Sequence, residues 1–211
     1  MHAQGSEYAI IGGIRRDYYI LPQGETYLGV LGGHGVYAAA AARLWSDSVL
    51  LLCRVGSDFP ASLLEEISRH GLNLEGIRRL DQPLECRRFF TYLSPEERLT
   101  SNPAAHFLRA GHSLPKDLID YPDPAESRPD RQSLRPEAFH PDDLPSQLTR
   151  TRAAHFCPDE YLSHVLTPIR LRELGVSLIT LDVSETYVEP RLGSELRDLI
   201  SGLDALLLSE E

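Results

Sequence analysis

Apolar residues occur along the chain in two patterns that alternate from end to end. Short continuous runs predict buried strands, whereas spacing of three or four residues, or a run of strong helix formers, predicts helices. The predicted strands are 7–13, 27–31, 49–55, 86–93, 153–157, 176–181 and 205–208. The predicted helices are 36–45, 60–70, 159–174 and 191–200. This alternation predicts an α/β fold with a doubly wound, mostly parallel sheet flanked by helices.

Three local features add detail to this pattern. The strand at 86–93 leads through Ser94-Pro95-Glu96-Glu97 into a second extended stretch, which predicts a hairpin at about 86–101. Residues 112–146 are rich in Pro, Asp and Arg and have little apolar periodicity, so we expect a loop or disordered insertion there. Pro168 is expected to kink or interrupt the third helix. All of these features are assigned to a single domain, 1–211.

Composition narrows the function classes. The formal charge of −10 argues against a nucleic-acid partner, because phosphate binding needs clustered Lys and Arg. The three cysteines lie far apart and two of them sit in apolar runs, which indicates buried free thiols and a reducing cytoplasm. The eight histidines form no metal-ligand spacing. No apolar run approaches membrane-spanning length, so we expect a cytoplasmic protein with no membrane partner.

The strongest chemical signal is the segment Gly32-Gly33-His34-Gly35 before an alanine-rich helix. Glycines allow a ligand to approach the backbone, and the first N–H groups of a helix are available to bind it. Alone, such a segment is equally typical of a plain structural turn. Its surroundings make it more specific, because Ser46 follows Ala39 after six residues and Gly56-Ser57-Asp58 follows Ser46 after nine.

This layout resembles the amino-terminal signature of the PfkB carbohydrate kinases, Gly-Gly-x-Gly-x-Asn-x-Ala. Upstream, the segment from Gly12 to Asp17 resembles the first strand of that family and the Asp that follows it. Pro22-Gln23-Gly24-Glu25-Thr26 resembles the family's Pro-x-Gly-Glu-Thr turn, and 204–210 resembles the strand before its Asn-x-x-Glu motif. The resemblance covers nearly the whole chain except 112–146. It implies a ribokinase-like fold in which the 86–101 hairpin is part of a lid.

The resemblance also implies a function. Members of the family phosphorylate a hydroxymethyl group of a sugar or nucleoside-like molecule, with ATP as donor and Mg²⁺ carried by the nucleotide. The positions of this chain assigned to the substrate are Asp17, Gly32, Gly33, His34, Tyr37 and Asp159. An ionised Asp suits this role because it accepts two hydroxyl protons in a charge-assisted fork. The lids of many members pair between subunits, which allows a homodimer.

Three of these positions have a structural alternative. Asp17 could be a solvated acid in a turn, Asp159 a helix N-cap, and Tyr37 a ring packed under the lid without ligand contact. Tyr37 also departs from the family's Asn, His34 from its frequent Lys, and Arg15 from an Asn in some sugar kinases. An aromatic ring in place of a compact amide favours stacking, so the expected substrate has a base-like or hydrophobic part, or is a sugar other than ribose.

The phosphoryl-transfer motif of the family, Gly-Ala-Gly-Asp, has no counterpart in these 211 residues. It supplies the catalytic Asp and the helix N-terminus that holds the phosphates. Ser209 matches the Asn position of Asn-x-x-Glu and Glu210 follows it, and both are assigned to the nucleotide side. We therefore expect the carboxy-terminal part of the fold to be missing and the chain alone to be catalytically incompetent.

Two other functions remain open on the sequence. The first is a non-catalytic binding or interaction protein with a kinase-like fold. The second is NAD binding, because 33–38 satisfies the letters of the dinucleotide fingerprint G-x-G-x-x-A. That fingerprint should follow the first strand of a βαβ unit, and the sequence places a separate strand before it.

Overall fold

The computed structural model describes residues 6–122, 132–145, 148, 150–183 and 193–208. The chain divides into two compact units. The large unit comprises the described residues of 1–14, 33–85 and 129–211, and the small unit comprises those of 15–32 and 86–128. Each unit has its own β-sheet.

The sheet of the large unit has six described strands, and every pair is parallel. They are β1 Tyr8–Ile11, β4 Val49–Val55, β5 Ile77–Arg79, β8 Ala153–Phe156, β9 Leu178–Asp182 and β10 Ala205–Leu207. Their order is β10-β9-β8-β1-β4-β5. The predicted doubly wound, parallel α/β fold is therefore confirmed.

Five α-helices lie in the described part of the chain. They are α1 His34–Arg43, α2 Ala61–Arg69, α3 Pro103–Arg109, α4 Tyr161–Glu173 and α5 Gly193–Ile200. Pro168 lies inside α4, and the helix runs through it. The predicted interruption at Pro168 is therefore wrong, whereas the alternative expectation of a kink stays a prediction. The neighbouring side chains of Thr167 and Leu171 are buried and hold this turn against the protein.

One core cluster of the large unit lies on one face of its sheet. Alternate residues of β4, such as Leu50 and Leu52, point to the same side as Phe156 of β8 and pack with Leu171 of α4 and Leu199 of α5. β4 is buried on its other face as well, and this explains its continuous apolar sequence. Cys53 and Cys157 are buried free thiols, as predicted.

The small unit contains a four-stranded sheet and α3. Its strands are β2 Arg15–Ile20, β3 Thr26–Gly32, β6 Arg87–Tyr92 and β7 Arg98–Leu99. β2 pairs antiparallel with β3 and parallel with β6, and β6 pairs antiparallel with β7 where the sequence predicts a hairpin. The unit is larger than that hairpin, because β2 and β3 form half of its sheet.

One face of this small sheet is packed. Tyr18, Ile20 and Phe89 form a cluster with Phe107 of α3 and with Leu118. We call this side the packed face. Alternation along a strand sends Arg15, Asp17 and Tyr19 to the other side, which we call the Asp17 face.

The segment 112–146 contains two short 3₁₀-helices, Lys116–Leu118 and Pro141–Asp143. Leu118, Ala138 and Phe139 are buried. These parts of the segment are packed against the protein, which differs from the solvated loop that the composition predicts. The reason is that single apolar side chains anchor it without any periodic pattern.

Candidate substrate-binding site

Asp17 lies in the middle of β2, next to an irregularity in its pairing with β3. It is only 1% exposed. Its Oδ2 accepts a hydrogen bond of 2.7 Å from the Tyr19 hydroxyl. Its Oδ1 is buried and has no hydrogen-bond partner among the described residues. An unsatisfied buried carboxylate oxygen is costly, so this one calls for a partner from outside the described residues, such as a ligand, an ion or a water molecule.

Gly32, the last residue of β3, lies directly against this carboxylate. A Cβ atom placed on Gly32 would lie 1.9 Å from Oδ2 of Asp17. Only a glycine therefore leaves room for the Asp17 side chain in its present position. Asp17 and Gly32, which the resemblance assigns to the same task, are adjacent in the structure.

Burial is the main influence on the ionisation of Asp17. It raises the pKa of this carboxyl above its usual range, while the hydrogen bond from Tyr19 and the charges of Arg15 and Arg88 lower it. The two arginines come from different strands, since Arg88 of β6 is paired with Asp17 in the register of the sheet. Their positive charge favours the ionised form, which accepts hydroxyl protons.

The Asp17 face continues with a row of aromatic rings. Phe90 is stacked on Tyr19 with ring centroids 5.3 Å apart, and Tyr92 lies 6.4 Å from Tyr19. All three rings are partly exposed. Sequence reasoning missed Phe90 and Tyr92 as site residues, although their spacing of two in a predicted strand placed them on one face.

The glycine turn before α1 belongs to the large unit from Gly33 onward. Gly33 has φ 104° and ψ 145°, a conformation that residues with a side chain avoid. A Cβ atom on Gly35 would lie 2.2 Å from the carbonyl oxygen of Gly12, so α1 starts in close contact with the end of β1. The N–H of Gly35 donates to the carbonyl of Gly13 at 3.0 Å.

This turn lacks the context of a dinucleotide fingerprint. The strand before it is β3, which pairs antiparallel with β2 in the small sheet. A dinucleotide site needs the first strand of a parallel βαβ unit at that position. The geometry therefore gives the NAD interpretation no support.

His34 and Tyr37 both lie in the first turn of α1 and are both exposed, Tyr37 by 54%. The exposure of Tyr37 does not fit the alternative in which its ring is packed. Their assignment to the substrate stays a prediction.

Asp159 follows β8 in the large unit and is partly buried. Its Oδ2 accepts a hydrogen bond of 3.0 Å from the N–H of Phe139. Burial raises its pKa to about 6, against the hydrogen bonds from the backbone of Phe139 and Glu160. The N-cap residue of α4 is Glu160. Asp159 thus holds the 132–145 segment rather than capping the helix.

The nucleotide side is not visible, because Ser209 and Glu210 lie outside the described residues. Within the described ranges, no group of three or more His, Cys, Asp or Glu side chains could hold a metal ion. No helix there has the length and apolarity to span a membrane. A cavity of about 280 Å³ in the small unit is lined by residues of 102–121, none of which the sequence assigned to the site.

Comparison with known proteins gives the fold. No protein-family model and no curated protein matches the sequence. A fructokinase from Xylella fastidiosa with bound ATP superimposes with a TM-score of 0.59 and 18% identity, over 94% of this chain and 56% of its own. A nucleoside kinase from Burkholderia thailandensis in complex with inosine gives 0.58 and 15%, over 96% of this chain and 60% of its own.

A PfkB protein from Polaromonas is similar to the same degree, with a TM-score of 0.60 and 15% identity. It is matched over 95% of this chain and 65% of its own. The chain therefore has the ribokinase-like fold of the PfkB carbohydrate kinases, and it spans 56 to 65% of the length of these solved structures.

Proposed function

We propose that this chain is the substrate-binding part of a PfkB-type carbohydrate kinase. The whole protein would phosphorylate a hydroxymethyl group of a sugar or nucleoside-like molecule with ATP. In this proposal Asp17 and Gly32 of the small unit bind substrate hydroxyls. Gly33, His34, Tyr37 and Asp159 of the large unit keep the substrate-side role that the family resemblance implies.

The observation that carries the proposal is the state of the Asp17 carboxylate. It is buried to 1% exposure, yet its Oδ1 has no hydrogen-bond partner in the described part of the chain. A substrate hydroxyl would donate to this oxygen and remove the cost of leaving it unsatisfied. The position of Gly32 beside the carboxylate supports the same role, since the backbone there approaches without a side chain between.

The aromatic row on the Asp17 face supports a substrate with an apolar face beside its hydroxyls. Rings such as Tyr19 and Phe90 pack against the C–H face of a sugar or against a planar base. Both a sugar and a nucleoside satisfy this requirement. The choice between them is what the substrate panel below decides.

ATP and Mg²⁺ enter the proposal through the resemblance alone, since Ser209 and Glu210 lie outside the described residues. ATP would supply the phosphoryl group and Mg²⁺ would neutralise its charge. The 211 residues lack Gly-x-Gly-Asp, so we expect them to bind substrate without turning it over. Pairing into a homodimer through the small unit and a cytoplasmic location stay predictions.

The test is calorimetric titration of the chain with a panel of neutral pentoses, hexoses and nucleosides. We expect at least one to bind, and Asp17→Asn to weaken that binding about a hundredfold, because a hydrogen bond to a charged group contributes about 1.5–3 kcal/mol. Asp120→Asn is the matched control, since that exposed carboxylate lies in the same unit. Equal affinity of the Asp17→Asn variant and the wild type would refute the proposal.

A second candidate is a binding protein with this fold and no catalytic activity. The residues that support the proposal, Asp17 and Gly32, would bind a ligand and take no part in phosphoryl transfer, which is compatible with this candidate. The two functions are separated by incubating the natural full-length protein with ATP, Mg²⁺ and the ligand found in the titration. Release of ADP together with a phosphorylated product identifies a kinase, and binding without turnover identifies a binding protein.

A further inference from the structure

A cavity of about 280 Å³ lies on the packed face of the small unit. Three of its lining residues, Leu114, Leu118 and Tyr121, belong to the apolar cluster of that face or pack against it. Asp17 points to the other side of the same sheet. A molecule in the cavity would therefore be separated from a substrate at Asp17 by the sheet itself.

The lining of this cavity is neutral and mainly apolar. Leu118 is only 1% exposed and Leu114 is partly buried, so both lie deep in it. Ala104 and Ile119 are exposed, Ile119 by 66%, and they lie towards solvent. The other lining residues are Asn102, Pro103 and Tyr121, so none of the seven carries a charge. A ligand that covered Ile119 would remove apolar surface from water, which favours its binding.

Two of the lining residues have side chains that can donate hydrogen bonds. Oδ1 of Asn102 accepts from the N–H of Ala105 at 3.3 Å, so the amide nitrogen is the part of this side chain that can donate to a ligand. The hydroxyl of Tyr121 accepts from the N–H of Phe89 at 3.2 Å and keeps its own proton for donation. Both residues thus suit a ligand that contains a hydrogen-bond acceptor.

The volume of the cavity sets the size of its ligand. Since a water molecule occupies about 30 Å³ in the liquid, 280 Å³ corresponds to roughly nine or ten non-hydrogen atoms. This is the size of one ring with a short substituent. The ring of Tyr121 in the lining favours an aromatic ligand, because aromatic rings stack with an offset or meet edge to face.

We propose that this cavity binds a small neutral molecule that consists of one aromatic ring and a hydrogen-bond acceptor. The ring packs against the apolar lining, and the acceptor receives a hydrogen bond from Asn102 or Tyr121. Apolar walls with a few polar groups are the usual composition of small-molecule sites. The inference does not rest on the proposed function, because no residue of the cavity is assigned to the substrate.

The test compares three probes of the same size, benzamide, benzoate and cyclohexanecarboxamide, in ligand-observed NMR titrations of the chain. We expect benzamide to bind with a dissociation constant of about 1 mM or below. Benzoate should bind at least about fivefold more weakly, because a neutral apolar cavity does not compensate the burial of a charge. Cyclohexanecarboxamide should bind about threefold more weakly, because it lacks the aromatic ring.

Two substitutions of exposed lining residues locate the binding site. Ile119→Ala removes part of the wall and should weaken benzamide about tenfold. Ala104→Phe places a ring in the cavity and should abolish binding. Leu108→Ala is the matched control for Ile119→Ala, since Leu108 is an aliphatic residue of α3 that is 78% exposed and does not line the cavity. Circular dichroism and a thermal melt of each variant show that the fold is retained.

The outcomes also separate this site from the proposed substrate site. Benzamide that binds equally to the wild type and to both lining variants lies elsewhere, and the inference is then overturned. A dissociation constant above about 10 mM, or equal binding of benzoate, overturns it as well. Competition between benzamide and a polyol from the calorimetric panel would assign the cavity to the substrate and refute a separate site. If benzamide binds as expected and no polyol binds, the proposed function alone fails.

Discussion

Asp17 in the small unit and Asp143 in the large unit are equally buried, and they have opposite surroundings. The side chain of Asp143 is 1% exposed, as is Asp17. Asp143 binds Arg54 through both of its oxygens and also binds Arg78 at 2.7 Å. It accepts a further hydrogen bond from the backbone of His140 at 3.2 Å. Asp17 has one hydroxyl partner, Tyr19, and a bare Oδ1.

This difference is what we expect between a structural carboxylate, Asp143, and the substrate-binding carboxylate that we propose Asp17 to be. Asp143 satisfies all its hydrogen-bonding capacity within the chain, and so it fixes the 132–145 segment to β4 and β5. Asp17 is buried to a similar extent, yet its Oδ1 accepts no hydrogen bond from the described residues. Burial alone therefore does not separate the two roles. The number of hydrogen-bonded carboxylate oxygens separates them.

The largest expected effect is a loss of unfolding free energy in Asp143→Ala. The comparison fails if Asp17→Asn shows a loss of the same size. Asp143→Ala leaves Arg54 with an unpaired charge, and its side chain is only 9% exposed. Loss of one partner of a buried pair costs about 3–5 kcal/mol. Asp17→Asn should change the free energy of unfolding by less than about 1 kcal/mol, because it removes a charge that is only partly satisfied. Urea unfolding measures both.

Asp142→Ala is the control for Asp143→Ala, since Asp142 is its exposed neighbour in the same 3₁₀-helix. We expect this variant to lie within about 0.5 kcal/mol of the wild type. A loss of 3 kcal/mol or more in Asp17→Asn, on the scale of a broken buried pair, would show that Asp17 is a structural group, and the comparison would collapse.

The sequence predicts most strands of the large unit, because strands such as β4 are apolar on both faces; β5, which reads Ile-Arg-Arg, was not predicted. Val49–Val55 has the predicted bounds, and α4 and β8 lie within a residue or two of theirs. Such runs result from burial, which composition records directly. The parallel topology follows from the alternation of strands and helices.

The small unit is harder to predict because its sheet does not follow the alternation of a half-buried strand. β2 reads Arg-Arg-Asp-Tyr-Tyr-Ile, with charged and aromatic residues on both faces, so the sequence analysis did not identify it as a strand. Arg16 on the packed face finds its partner in Asp117, which is 101 residues away in sequence. Contacts over that separation leave no local signal.

The candidate site is predicted only in part for the same reason. Motif spacing led to Asp17 and Gly32, because a glycine turn and an acid have recognisable residue types. Arg88 and Phe90 carry no motif, and only the pairing of β6 with β2 brings Arg88 beside Asp17 and Phe90 beside Tyr19. That pairing joins strands far apart in sequence, and no pattern within either strand encodes it.

The next largest effect is expected from a substitution that crowds the Asp17 carboxylate. Gly32→Ala would place a Cβ atom 1.9 Å from Oδ2 of Asp17, so the side chain or the strand must move. Overpacking of this kind costs about 1–3 kcal/mol. We also expect about a tenfold loss of polyol affinity, since the displaced carboxylate no longer meets the substrate hydroxyl. Unfolding in urea and calorimetric titration measure the two effects.

Gly13→Ala is its matched control, because no described atom lies within 4 Å of where its Cβ would be. We expect the control to change stability by less than about 0.5 kcal/mol and to leave affinity unchanged. If both variants behave alike, Gly32 has no special relation to Asp17, and the glycine argument fails.

The smallest effect concerns Asp159, which differs from both because it is only partly buried and accepts a hydrogen bond from the N–H of Phe139. Its pKa is raised from 3.8 to about 6 in the folded protein. The contribution of Asp159 to stability is thus fully present below its unfolded pKa and is lost as the pH rises through about 6. Between pH 4.5 and 7.5 the expected loss is about 2 kcal/mol.

Asp159→Asn removes this titration and keeps an oxygen that accepts from Phe139. The test is therefore the difference in unfolding free energy between wild type and variant at the two pH values, measured in urea. Taking the difference cancels His164, whose pKa is lowered to about 4 by burial and whose contribution runs in the opposite direction, growing as the pH rises. If the difference in unfolding free energy does not depend on pH, Asp159 has the same pKa in the folded and the unfolded protein, and the expected effect of its burial is refuted.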